Sequence, residues 1–190
     1  MQLEHETADR VESSLKDICL IAAFLEGKQS AFDELFHKYK DRLFSLCYRF
    51  LGNRTDAEDV VQDAFLDIYA GLHRFKGDAA FYTWAYSITI RLCYKHIKQR
   101  KTPSLLPDDL IYESESSEQD HVDRIAIRQG LAKLTDDRRM LLILRYYQQF
   151  SYEEIAGMLS CNAAQVRDRL RRARLRLNEV LSEDMRGGSK

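Results

Sequence analysis

Apolar residues recur every three or four positions along most of the chain, which is the spacing of one face of a helix. Such stripes run through residues 32–50, 61–72 and 81–99, and a shorter apolar run at 18–25 predicts a first helix. Two further helices are predicted at 125–134 and from a cap at Thr135 to about Gln148, the second with Leu141, Leu142, Leu144 and Tyr147 on its buried side. Only 8 Gly and 2 Pro are available to interrupt the stripes in a chain of 190 residues. The pattern therefore predicts an all-α protein.

Short polar segments predict where the helices begin and end. The polar residues 1–14 are expected to be frayed ahead of the first helix. Ser30 is placed to cap the second helix, and Gly52 is placed to stop it. Thr55, with Glu58 three residues later, has the capping-box spacing that starts a third helix.

One segment, residues 102–123, breaks the helical pattern. It contains both prolines, a Ser/Glu cluster and seven acidic residues, with no Lys or Arg. Such a composition predicts a flexible acidic linker between two helical domains, at 15–101 and 124–183. The net charge of −1 hides this division, because residues 1–101 are neutral overall and residues 124–190 carry +6. A nucleic-acid-binding surface is therefore visible only in the separate parts.

Several classes of protein are excluded by what the sequence lacks. No run of 18 apolar residues predicts a membrane span, and the first residues do not form a signal peptide. Four scattered cysteines fit reduced thiols in a cytoplasm better than a disulfide framework. Cys93 and His96 share a helix face, but no second pair has zinc spacing, and no phosphate loop or serine elbow occurs. No metal, cofactor or catalytic group is expected.

A helix-turn-helix is predicted at residues 151–177. Ser151 and Glu154 form a capping box for a short helix, and Gly157 within it suggests that a neighbouring element approaches closely. A polar turn at 160–162 leads to a second helix from about Ala163. In this arrangement the second helix enters the major groove of DNA.

The second helix of this motif has an apolar face and a basic face. Its apolar positions follow 4-3-4 spacing: Val166, Leu170, Ala173 and Leu177. The opposite face and its flank hold the candidate DNA-binding residues: Arg167, Asp168, Arg171, Arg172 and Arg174. An ordinary helical hairpin with a solvated basic face is the alternative. Residues 162–176 hold six Arg and one acid, whereas a merely solvated face usually mixes charges.

The third helix presents an unusual acidic face. Asp59, Gln62, Asp63 and Leu66 are spaced i, i+3, i+4 and i+7, so one leucine lies in an otherwise acidic surface. This face is either a solvated surface with one stray leucine or a docking surface for a basic protein partner. The spacing alone leaves both interpretations open.

Small, aromatic and basic residues follow in the fourth helix and the loop before it. The loop residues are Gly77, Asp78, Ala79, Ala80 and Phe81, and the basic positions include Arg91, Lys95 and Lys98. Cations that follow phosphates and rings that stack on unpaired bases suit single-stranded nucleic acid. The alternative is that the aromatic residues simply fill a core. We expect both, with Trp84 mostly packed and the loop free.

Three segments resemble a known family. DAEDVVQDAFLDIY at 56–69, FKGDAAFYTWAYSI at 75–88 and LRYYQQFSYEEIAGML at 144–159 are similar to segments of the bacterial extracytoplasmic-function sigma factors, the two-domain members of the sigma-70 class. The resemblance covers residues 15–183, and the order of the motifs across an acidic linker is highly specific. It implies a sigma factor, not an enzyme, that directs transcription initiation from promoters.

The resemblance also implies a role for each surface. The acidic helix corresponds to the segment that binds the clamp helices of the polymerase β′ subunit. The loop and the basic helix correspond to the part that opens the −10 element and holds a flipped base, and the helix-turn-helix corresponds to the −35 reader. The acidic linker would thread through a basic channel near the RNA exit path. The implied partners are core RNA polymerase (β′ and β), promoter DNA and an anti-sigma protein, often membrane-tethered.

Three positions depart from the family pattern. Arg91 stands where a small polar residue is usual, and Asn162 stands where proline is common. Asp168 replaces a common serine on the recognition helix. Its carboxylate could accept a hydrogen bond from cytosine N4, or it could pair with Arg171 or Arg172 within the helix. These departures leave the promoter sequence unpredicted.

Two rival functions remain. A dimeric helix-turn-helix regulator of duplex DNA would leave the acidic face at 56–67 and the aromatic loop without a role. A nucleic-acid-processing enzyme would require a metal or nucleophile site, and the sequence offers no such site.

Overall fold

The computed structural model describes residues 2–100, 126–127 and 129–187, and most of these residues lie in helices joined by short turns. No strand occurs within those ranges, so the predicted all-α class is confirmed. The helices are α1 (Gln2–Leu25), α2 (Ser30–Leu51), α3 (Arg54–Gly71), α4 (Phe81–Gln99), α5 (Asp136–Leu142), α6 (Tyr152–Met158) and α7 (Ala163–Gly187). A 3₁₀ turn, Leu72–Arg74, follows α3, and a π turn, Ile143–Tyr147, follows α5.

The first domain is built around α2, which packs against α1, α3 and α4. On its inner side Leu43, Leu46 and Cys47 are completely buried. Cys47 lies against Cys93 of α4 with 3.6 Å between the two sulfur atoms, and all four cysteines of the chain are free thiols. The apolar stripe predicted for α2 is therefore the side of the helix on which the domain assembles.

A buried carboxylate joins α1 to α2. Asp17 is fully buried and accepts hydrogen bonds from Lys38 Nζ and Tyr39 Oη, both at 2.5 Å. A charge removed from water needs such partners, so this group fixes how α1 lies on α2.

Because α1 begins at Gln2, the prediction that residues 1–14 are frayed is wrong.

The predicted helix boundaries are right in some places and wrong in others. Gly52 ends α2 as predicted, in a left-handed conformation (φ 73°). Asn53, not Thr55, caps α3, because its extended backbone lets its side chain accept from the amide of Asp56 at 3.0 Å. Ser30 does not cap α2, since the turn before the helix already supplies carbonyl partners for the first amides.

In the second domain the helix predicted to run to Gln148 is divided. α5 ends at Leu142, the π turn follows, and Gln149 then adopts φ 57°. This turn carries Tyr147 to the surface, although the stripe predicted that it would be buried. The predicted helix at 125–134 is described only in part, and the predicted linker at 102–123 lies outside the described residues.

The two domains contact each other directly. α6 packs on α4, and both α5 and the π turn pack on α2. Gly157 permits the approach of α6, because a Cβ atom there would lie 3.1 Å from Thr83 Cγ2. The close neighbour suggested for Gly157 is therefore Thr83. Across the described ranges, no helix has both the length and the hydropathy needed to span a membrane.

Candidate nucleic-acid and protein-docking surfaces

The predicted helix-turn-helix is present, and both of its helices are capped by side chains. Ser151 and Glu154 form the predicted capping box of α6, with bonds of 3.2 and 2.6 Å. Asn162 and Gln165 repeat the arrangement at the start of α7, with bonds of 3.1 and 2.8 Å. Asn162 thus has a local structural role at the position where the family commonly has proline.

The two faces of α7 are divided as the spacing predicts. Val166, Leu170 and Ala173 are buried against the rest of the domain, and Leu177 is half-buried. Arg167, Arg171, Arg172 and Arg174 are exposed on the other side. The guanidinium of Arg167 also lies 5.8 Å from the centre of the Tyr152 ring, so this arginine is partly held against α6.

Asp168 pairs with two arginines of its own helix. One carboxylate oxygen accepts from Arg171 at 3.2 Å, and the other pairs with Arg172. The hydrogen bond from Arg171, helped by the charge of Arg172, lowers the pKa of Asp168 below its ordinary value. In this structure Asp168 therefore pairs with arginines of its own helix, which is the second of the two interpretations that the sequence left open.

The acidic face of α3, defined as Asp59, Gln62, Asp63 and Leu66, is exposed along its whole length. Leu66 is 62% exposed, the highest value among the large apolar side chains described. The opposite side of α3 is buried, with Ala57, Ala64 and Ile68 nearly inaccessible. The orientation of the face is therefore set by the core and not by the acidic residues themselves.

An aromatic groove lies beside the acidic face, between α2 and α3, with a volume of about 840 Å³. Its apolar lining includes Phe32, Phe36, Phe44, Phe65, Leu66 and Tyr69. Charged residues form the rim, where Arg54 pairs with Glu58 at 2.9 Å and lies over the Phe44 ring. Sequence reasoning assigned Phe32 and Phe36 to the core stripe and so missed the groove. The available signal was an apolar arc on α2 wider than one buried stripe needs.

The loop before α4 is exposed to solvent at residues 77–79, but Phe81, the last of its predicted site residues, is buried. Gly77, Asp78 and Ala79 are exposed, with Gly77 at φ 75°, while Ala80 is half-buried. Phe81 is only 3% exposed, and its ring lies 5.3 to 5.9 Å from those of Tyr39, Phe75 and Trp84. The Phe81 side chain therefore fills the core, which is the alternative role predicted for the aromatic residues of this segment. The ring anchors the loop because aromatic side chains gain most by burial.

The basic residues of α4 differ in their availability. Arg91 is exposed but pairs with Asp67 of α3 at 3.2 Å, so this departure from the family pattern links two helices. Lys95 and Lys98 are exposed and make no ion pair with a described residue. Arg100, just past the helix, bonds to the Leu51 carbonyl at 3.0 Å and pairs with Asp56, which makes its role in the fold structural. Within the described ranges, no three His, Cys, Asp or Glu side chains are grouped to hold a metal.

Comparisons with known proteins match both domains. Residues 35–102 match the family model for sigma-70 region 2, and residues 124–177 match the model for sigma-70 region 4. The chain is 33% identical to the RNA polymerase sigma-H factor of Pseudomonas aeruginosa over 186 residues, covering 90% of this chain and 96% of that one. It is 32% identical to the ECF RNA polymerase sigma-E factor of Escherichia coli over 179 residues, covering 86% and 93%. It is 29% identical to the ECF sigma factor SigW of Bacillus subtilis, covering 83% and 92%.

Solved structures agree with the sequence relatives. The structure of CnrH in complex with the cytosolic domain of CnrY superposes with a TM-score of 0.69 at 25% identity, covering 89% of this chain and 99% of that one. The sigma factor RpoE of Bartonella quintana, solved with the anti-sigma factor NepR, gives a TM-score of 0.64 at 22% identity, covering 80% and 96%, and supports the fold. Because both domains match, a helix-turn-helix regulator that lacks the first domain is not favoured. The chain belongs to the extracytoplasmic-function group of the sigma-70 family and is a sigma factor that directs promoter-specific transcription initiation.

Proposed function

We propose that the acidic face and the aromatic groove together dock this sigma factor on core RNA polymerase. The observation that carries the proposal is the exposure of Leu66 at the boundary between the two surfaces. Exposed apolar area that is contiguous with a groove and bordered by charge is typical of a protein-binding site. Asp59 and Asp63 are then steering charges for a basic partner, and Leu66 is the residue that loses water on docking.

The partner that fits is a helical element with apolar side chains and basic flanks. The groove is formed by two helices and is open along its length, so a helix can lie in it as in other helix-in-groove complexes. The clamp helices of the polymerase β′ subunit, which the family resemblance implies, are the proposed partner. The rim itself carries both signs, since Lys40 and Arg54 lie there with Asp41 and Glu58, so the negative charge of the docking surface comes from Asp59 and Asp63.

We further propose a division of DNA contacts between the domains, with residues 15–101 opening the −10 element and 124–183 reading the −35 element. The exposed loop at 77–79, with Lys95 and Lys98, offers room and positive charge for a separated strand. The exposed arginines of α7 offer donors for base edges and phosphates in duplex DNA. Such a chain supplies binding surfaces to the polymerase, in which the chemistry takes place, so it acts as an initiation factor and not as an enzyme. Its site of action is the cytoplasm, where promoter DNA lies.

An anti-sigma protein is the expected regulator. The structural relative CnrH was solved with the cytosolic domain of CnrY, which supports a protein partner for this chain as well. Because the groove between α2 and α3 is open, an anti-sigma protein that occupied it would compete with polymerase directly.

Replacing Leu66 with Asp should abolish docking without unfolding the chain. The side chain is 62% exposed, so the fold loses little, while a desolvated anchor is typically worth at least about 2 kcal/mol, or about 30-fold in affinity. Core affinity and far-ultraviolet circular dichroism should be measured together. Leu15→Asp on α1 is the matched control, since Leu15 is 58% exposed and lies away from the groove. Equal losses for both variants, or an unfolded Leu66→Asp protein, would contradict the docking site.

Alanine substitutions on α7 should separate base reading from phosphate binding. Arg171→Ala or Arg172→Ala should cost about 1–3 kcal/mol and relax the preference at one −35 position. Arg174→Ala should weaken binding to all sequences alike. It should also reduce by about one the slope of the logarithm of the binding constant against the logarithm of the salt concentration. Competition binding of holoenzyme to randomised −35 duplexes, at several salt concentrations, makes the comparison. Identical behaviour of the three variants would show that the division is wrong.

A substitution in the loop should be rescued by a promoter that is already open. Ala79→Asp places a negative charge on an exposed residue at the expected path of the separated strand, and should therefore slow promoter opening. A template premelted at the −10 element removes the unpairing cost and should restore much of the rate. Arg172→Ala is the control, because premelting cannot replace a −35 contact. Equal rescue of the two variants would move the opening function away from this loop.

A further inference from the structure

Helix α1 carries a second apolar face, on the side that is exposed to solvent. Leu15 and Ile18 are each 58% exposed, and Leu25 is 45% exposed. Ala22, between them, is exposed as well. Three of the nine large apolar side chains that are exposed in the described ranges therefore lie on this one face. We call these four residues the outer seam of α1.

The spacing of the outer seam is that of a coiled-coil helix. Its four residues are separated by three, four and three positions, which places them along one side of the helix. In the sequence the same alternation continues at Val11 and Ala8. Single exposed apolar residues are common on protein surfaces, but a stripe of them on one helix forms a contiguous patch, and such patches mark binding sites.

The core of the first domain does not use the outer seam. The opposite side of α1 is already buried, with Asp17, Ile21 and Phe24 at most 6% exposed. Asp17 is bonded to Lys38 and Tyr39 of α2, so α1 cannot turn its outer seam inward without breaking these buried bonds. The fold therefore holds the seam in water.

A groove of about 850 Å³ between α1 and α2 lies beside the seam. Leu15, Cys19 and Leu20 line it from α1, and Glu34 and His37 line it from α2. It shares no lining residue with the aromatic groove between α2 and α3. A helix laid along the seam would thus find a concave surface on one side, as in other helix-in-groove complexes, without covering the aromatic groove.

The charged residues of this groove select the kind of partner. Both of its lysines are already paired, Lys16 with Glu12 at 2.7 Å and Lys38 with the buried Asp17. Glu34 is exposed and makes no ion pair with a described residue. The groove therefore offers a partner an unpaired carboxylate and no unpaired lysine.

The whole of α1 has the same sign of charge. Residues 2–25 hold five acidic and two basic residues. A second copy of the chain would bring two such helices together, and DNA or an anionic membrane surface would meet the same repulsion. A helix that has an apolar seam with Lys or Arg on its flanks matches both the stripe and the charge.

We propose that the outer seam of α1 is a second protein-docking site, which takes a basic amphipathic helix of a protein other than core polymerase. The site goes beyond the proposed contact with polymerase and does not overlap it. The free sigma factor and its complex with polymerase can therefore both bind this partner, and the complex can carry it to a promoter.

Two synthetic peptides of about 21 residues, or three heptads, test the site. Both carry Leu and Ile at the seam positions, and they differ in having either Lys or Glu at all e and g positions, where like charges also keep each peptide from pairing with itself. In titration calorimetry with the full chain, the Lys peptide should bind at least tenfold more tightly than the Glu peptide. Equal affinities, or no binding of the Lys peptide, would overturn the proposal.

Variants of the full chain locate the bound peptide. Leu15→Asp with Ile18→Asp should weaken the Lys peptide at least tenfold and leave core binding unchanged, whereas Leu66→Asp should do the reverse. Loss of the peptide with Leu66→Asp alone would place it in the aromatic groove and overturn the site on α1. Core binding that survives Leu66→Asp would instead count against the proposed function and not against this site.

A charge substitution keeps the test open if the double variant unfolds. Ala22→Lys changes an exposed position of the same helix, so the fold should be retained, as circular dichroism will report. The added cation should weaken the Lys peptide and strengthen the Glu peptide. Unchanged affinity for both peptides would overturn the proposal.

Sedimentation velocity and vesicle flotation test the other possible occupants of the seam. The free chain should sediment as a monomer and should not bind phosphatidylglycerol vesicles. A dimer that Ile18→Asp disperses would assign the seam to a second copy of the chain. Vesicle binding that the same variant abolishes would assign it to a membrane surface, and either result would overturn the proposal.

Discussion

Packing on the inner side of α2 determines what every other part of the first domain can present. Leu43, Leu46 and Cys47 are completely buried where α3 and α4 meet this helix. Because α3 must turn Ala64 inward, its acidic face must turn outward, and Leu66 follows although it is apolar. The exposure of one leucine is therefore a consequence of the core, and the same core leaves the aromatic groove beside it. The proposed polymerase contact follows from this geometry.

The sequence predicted several features that depend on one helix alone, although the caps expected at Ser30 and Thr55 were wrong. The faces of α7, the outward turn of Leu66 and the capping box at Ser151 each follow from spacing within a segment, and all are present. Features that depend on the packing of one helix against another could not be predicted from spacing within a single segment. Phe81 is buried because three rings from other segments converge on it. The groove and the α4–α6 contact likewise exist only after the helices have packed.

The basic residues show the same difference, because the fold decides which of them form ion pairs with acidic residues. Counting basic residues predicted Arg91 as a DNA contact beside Lys95 and Lys98, yet Arg91 pairs with Asp67 across two helices. On α7, Asp168 holds Arg171 and Arg172 and so restricts the orientations of their side chains. An arginine that is already ordered loses less side-chain freedom when it binds a base, so one acid on a basic face is compatible with DNA reading.

The central claim is that the acidic face and the aromatic groove beside it form the docking site for core polymerase. Amide hydrogen exchange of the free chain and of its complex with core polymerase tests this directly, since it reports protection along each helix separately. On binding, the amides of α3 near residues 59–66 should become more protected, while those of α1 around Leu15 should exchange at an unchanged rate. Unchanged exchange in α3, or equal protection of both segments, would contradict the claim.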